Sequence, residues 1–158
     1  MKVKILIARA NVIDSSGTMF TPECLEERSG ETVKIVEKFD NSKHVANALI
    51  EYESNSKALY IKEIRGLDGE DELEINSHAL GICNRDGLMV ITNRMTPALY
   101  GIIEDKYSDS SAVVIQGMSH NSISFVDTPN ADTQIGEIYI ENDGIKQSPS
   151  RKGTDGNS

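Results

Sequence analysis

The chain has 158 residues, a net charge of −9 and a sequence pI near 4.8. Its 38 % apolar residues and lack of tryptophan suit one modest core, and no apolar run approaches the roughly 20 residues of a membrane span. The acidic balance excludes general nucleic-acid binding, which depends on displacing phosphate counterions with basic side chains.

The opening stretch, residues 1–7, holds five apolar residues and is followed by Arg9, too short a run for the apolar region of a signal peptide. Residues 3–13 are predicted as a strand that is apolar on both faces. Asp14, Ser16 and Gly17 then mark a turn, because Asp and Ser bond their own backbone and Gly accepts positive φ. Thr21 and Pro22 open a short helix as N-cap and first helical residue, and Gly30 stops it. Residues 32–38 and 44–53 alternate as strands around a polar loop at 40–43, and residues 58–64 form another strand. The acidic run 68–72 reads as a solvated loop. It lacks the ligand spacing of an EF-hand, so no metal is expected there.

Residues 79–84 and 88–92 flank Arg85-Asp86-Gly87, a hairpin signal. Thr96 and Pro97 repeat the N-cap signature. Behind them Leu99, Ile102, Ile103, Lys106 and Tyr107 fall at helical spacing, which predicts a second, one-faced helix. Residues 112–118, 122–126 and 137–140 are the last predicted strands. From Asn142 the composition turns to Gly, Ser, Lys and Asp with almost no apolar anchor, so residues 142–158 are expected to form a flexible polar tail. The sum is an α+β fold: one β-dominated domain over 1–141, with about two helices.

Two stretches carry a family resemblance. Ser122-Ile123-Ser124-Phe125-Val126 runs into Pro129-Asn130, and this resembles the late strand and turn of tailed-phage prohead proteases, where V-S-L-V-x-x-P-A-N-P is common. Phe20-Thr21-Pro22-Glu23 resembles their opening F-T-P-E-A-L string, and order and spacing agree over most of residues 3–140. The resemblance implies a prohead-protease-like fold and, in the family, a serine protease. Such an enzyme needs a hydroxyl activated by an imidazole that is itself oriented. Here Phe39 stands where the family's histidine would be, and a phenyl ring accepts no proton. The alignment therefore places Phe39 in the core. Ser119, in Gly117-Met118-Ser119-His120, has the look of the nucleophile segment but stands against the late strand. Ser122 occupies the acidic place, and Ser124 matches the family's strand serine.

No catalytic residue is therefore expected. Were the chain active, Ser119 or Ser124 as nucleophile and His44 or His120 as base would carry the reaction; His78 reads as a surface histidine. Cys24, in the first turn of a helix, reads as a small buried thiol rather than an activated one. No phosphate loop, dinucleotide fingerprint or zinc pattern is present, and neither a cofactor nor a metal is expected.

The resemblance, with its catalytic places vacated, implies a non-catalytic phage structural or assembly protein: a minor head, decoration or scaffold-associated component, in the virion or the host cytoplasm. Its partners would be capsid or scaffold subunits or further copies of itself, without nucleic acid or membrane. The alternatives are an active prohead maturation protease with a rearranged triad, and a small phage protein that binds a host factor or signalling ligand.

Overall fold

The structure, a computed structural model, describes residues 2–14, 16–67, 73–76, 81–84, 89–92, 96–126 and 139–140, with backbone alone at 73–76, 81–84, 89–92, 96, 126, 139 and 140. The first strand, β1 (Lys2–Arg9), buries Val3, Ile5, Leu6, Ile7 and Ala8, so both of its faces are covered as its unbroken apolar run requires. It ends where Asn11 adopts φ 66, a conformation that Asn tolerates better than a branched residue. The strand predicted over 3–13 thus ends four residues earlier than expected.

The Asp14 turn forms as predicted. The Asp14 carboxylate accepts the amides of Ser16 at 2.8 Å and Thr18 at 3.0 Å and the Thr18 hydroxyl at 2.6 Å, and Gly17 takes φ 78. It launches β2 (Thr18–Phe20) and then α1 (Pro22–Glu26), where Thr21 Oγ1 accepts the Cys24 amide at 3.1 Å. Gly30, at φ 89, turns the chain out of the helical region, and its N–H donates to the Ile50 carbonyl at 2.7 Å.

Next come β3 (Thr32–Glu37), β4 (Asp40–Glu53), β5 (Ala58–Arg65), β9 (Thr96–Ser108), β10 (Val113–Val126) and β11 (Tyr139–Ile140). In the main sheet β11, β1, β5, β4, β3, β10 lie side by side; β2 also pairs with β10, and β9 joins β10 off this path. The contacts of β10 with β2 and β3 are parallel and the remainder antiparallel. A separate three-stranded sheet is made of β6 (Leu73–Asn76), β7 (Gly81–Asn84) and β8 (Met89–Thr92).

Ile7 of β1 and Ile123 of β10 are separated along the sheet by three strands, yet both are fully buried in one cluster with Leu25, Ile35, Ile50 and Ile61. The sheet therefore curls over its own inner face, with α1 contributing Leu25. Each such aliphatic side chain contributes about 1.5–3 kcal/mol by leaving water. The result is a β-dominated domain with one short helix among the described residues.

Three expectations are corrected. The helix predicted over 96–107 is the strand β9, paired with β10 from Thr96↔Val126 to Ser108↔Val113. Gly101 costs a helix about 1 kcal/mol, and eleven aligned strand pairs outweigh a helical spacing shared by a few apolar residues. The polar loop expected at 40–43 belongs to β4; the turn is Lys38-Phe39, at φ 49 and 60. Two positive φ values give a tight hairpin of the primed type, which residues such as Asn-Gly usually build. Finally, the strands expected at 112–118 and 122–126 are one strand, bent by a register shift at Ser119–Ser122 where His120 takes φ 53. The acidic run 68–72, the turn at 85–87, His78, the Pro129-Asn130 turn and the tail 142–158 lie outside the described residues.

Candidate functional site

The predicted chemical residues fall on β10 and on the β3–β4 hairpin, and the structure engages most of them with other groups. Ser124 is fully buried. Its hydroxyl donates to the Val36 carbonyl at 2.9 Å and accepts the Phe39 amide at 2.7 Å. Both its hydrogen-bonding roles are used to hold the strained turn to β10. Ser119 donates to Glu104 Oε2 at 2.5 Å. Ser122 is buried opposite Tyr100. His44 Nε2 lies 2.8 Å from Asn47 Oδ1, three residues along its own strand. His120 occupies the bend of β10 and is exposed. Among the described residues no serine hydroxyl is bonded to a histidine.

Phe39 is not a core residue. It is 40 % exposed, and the second position of a two-residue turn points it away from the sheet interior. Its ring meets Tyr100 with centroids 5.3 Å apart and planes tilted 48°. This geometry lies in the favourable range for aromatic pairs. A bulky residue at positive φ is strained, and the bond from its amide to Ser124 ties the turn to β10 in that conformation.

Tyr100 belongs to the most unusual surface of the molecule. On β9, Tyr100 (61 % exposed), Ile102 (56 %), Ile103 (42 %) and Tyr107 (48 %) all stand in solvent. Tyr100, Ile102 and Glu104 share the outer face: Ile102 pairs with Ser119, and Ser119 bonds Glu104. Leu99 on the other face packs against the core, which seats the strand. Sequence reading missed this face because it was assigned to a helix; the alternation of Leu99, Gly101 and Ile103 with Tyr100 and Ile102 was the signal available.

Two clefts accompany it. One of about 220 Å³ lies between β1 and β9, lined by Ile7, Ala8, Phe20, Leu99, Ile103 and Met118, with Asp14 at its edge already engaged by its own turn. The other, about 360 Å³, runs over Thr32, Ala48 and Leu49 to Glu63 and Arg65, which pair with each other at 3.1 Å. In both, the charged groups are matched before any ligand arrives. Elsewhere, Glu53 bridges Lys4 at 3.0 Å and Lys62 at 2.5 Å, with both ammonium groups over the Tyr60 ring. Bonds from Lys62 and then Lys4 hold the Glu53 carboxyl below the usual range.

Cys24 is the buried thiol expected. Burial, and then the charge of Glu27, push it up to about 11. Helix position alone does not activate it, because a thiolate beneath the sheet would lose its hydration. Among the described residues no group of three or more His, Cys, Asp or Glu side chains is placed to hold a metal. No helix among them is long and apolar enough to cross a membrane. The chain matches none of the protein-family models, curated proteins or solved structures compared with it.

Proposed function

We propose that this chain is a non-catalytic assembly protein of a tailed phage, a minor head, decoration or scaffold-associated component on a prohead-protease-like fold. The observation that carries the reading is the row of exposed apolar side chains on β9, continued by Phe39. An exposed apolar strand at a sheet margin is a liability in a protein that works alone, and a docking element in one that works in an assembly. The resemblance of Phe20 to Glu23 and of Ser122 to Val126 to prohead proteases directs the partner class toward capsid or scaffold subunits. Fold-level likeness alone does not fix a function, so the strand surface bears the main weight.

Mass spectrometry of purified particles of the encoding phage tests the proposal. The expected result is the chain present at a reproducible copy number. Its absence from both mature particles and proheads overturns the reading. So does a specific cleavage of scaffold by the purified protein that disappears in Ser119→Ala.

A further inference from the structure

Resting on the reading of the chain as a partner-binding protein, we propose that the outer edge of β9 takes up an extended basic segment of a partner protein as an added antiparallel strand. Among the described residues β9 pairs only with β10, along thirteen residues of strand. A strand edge of this length presents a row of backbone donors and acceptors, which an incoming strand can satisfy directly. Natural edges are usually blocked by proline or lysine. On β9 those residues are Pro97 and Lys106, near the two ends, and the window between them contains neither.

The side chains of the window specify what an added strand should carry. On the outer face Tyr100, Ile102 and Glu104 succeed one another at two-residue steps, about 13 Å from first to last at the strand rise. Phe39 widens the Tyr100 end into an aromatic pair. Residues directly opposite in neighbouring strands interact, so Tyr100 and Ile102 favour aromatic and β-branched partners and Glu104 favours Lys or Arg. Asp105 and Asp109 add acid at the same end, against Lys106 alone. The net charge of −9 sets a second copy of the chain, or any acidic partner, against repulsion. In antiparallel addition the partner reads, from its N-terminus, basic, any, β-branched, any, aromatic. The 220 Å³ cleft between β1 and β9 is lined by Tyr100 as well as by Leu99 and Ile103, and strand addition does not require it to be filled.

The probe is a capped peptide Thr-Arg-Thr-Val-Thr-Tyr-Thr, with a control in which Glu replaces Arg, titrated against the full chain and followed by amide chemical shifts and hydrogen exchange. The expected result is shift and slowed exchange at residues 98–106, with the control several-fold weaker at low salt. Glu104→Arg should invert that preference, and Ile102→Lys should abolish binding of both peptides while leaving the circular dichroism spectrum intact. Equal binding of both peptides, or protection away from β9, overturns the proposal. Concentration-dependent dimerisation that Ile102→Lys disperses overturns it too, since the edge would then take a second copy. An Ile102→Lys chain that still enters particles removes the β9 proposal and spares the assembly reading. A chain missing from particles that binds the arginine peptide does the reverse.

Discussion

The Ser124 hydroxyl holds the Phe39 amide at 2.7 Å across 85 residues of sequence, and so fixes a hairpin turn from the strand beside it. The same hydroxyl donates to the Val36 carbonyl, which places the bonding group in the buried interior. Ser124→Ala should therefore leave a donor and an acceptor unsatisfied and cost about 1–3 kcal/mol. Thermal denaturation should show the loss. Lys38→Asn should move the other way by roughly 0.5 kcal/mol, because Asn tolerates the φ of 49 better than Lys does. An unchanged melting temperature in Ser124→Ala would show that the turn holds itself.

Gly101 is required by a close approach. A Cβ there would meet Asn121 Oδ1 at 2.5 Å and the Met118 Cγ and Sδ at 2.8 Å. Asn121 is anchored in turn by its amide to Glu31 Oε1 at 3.3 Å, so it cannot swing aside without losing that bond. Gly101→Ala should destabilise by about 1–3 kcal/mol through overpacking. Gly117→Ala is the control: its Cβ would find Asp105 Cβ at 3.3 Å, a contact that a small shift relieves. Chemical denaturation of the two variants should rank them in that order.

Glu53 gives the domain an acid-sensitive element. Its bonds from Lys62 and Lys4 lower the folded-state pKa below the ordinary glutamate value of 4.5. The contribution is accordingly present above that unfolded value and is lost as pH falls through the folded one. Glu53→Gln should lose stability at neutral pH and show a flatter fall on acidification than the parent chain. Equilibrium unfolding between pH 7 and pH 3 measures both slopes, and parallel curves would mean the bridge contributes nothing.

Cys24, with its thiol pushed up to about 11, should be protected from alkylation in the folded chain. At pH 8 a thiol of that pKa is on the order of one part in a thousand thiolate, against roughly a quarter for an ordinary cysteine. Iodoacetamide labelling followed by peptide mass spectrometry should find Cys24 modified only as the chain unfolds. Rapid labelling under native conditions would place the thiol nearer solvent than the packing of Cys24 on Ile115 and Met118 indicates.

Local rules were sufficient where the deciding interactions lie within a few residues. The Asp14 turn, the Thr21–Pro22 helix start and Gly30 beyond its end were legible, because each is set by a side chain bonding its own backbone or by the φ a residue accepts. The alternating strand at 32–37 was legible for the same kind of reason, since burial of one face imposes its period on the sequence. The segment from Thr96 to Ser108 was different. Its opening Thr-Pro and the spacing of Leu99, Ile102 and Ile103 satisfy a helix locally. Only the length of β10 alongside, and the tight seat of Gly101 on Asn121 and Met118, make it a strand. Phe39 likewise has no local sign of being a turn residue, and the group that bonds its amide is a serine 85 positions away. Strand pairing and buried side-chain bonds join distant parts of the chain, so the candidate docking edge and its aromatic pair came into being only with the tertiary structure.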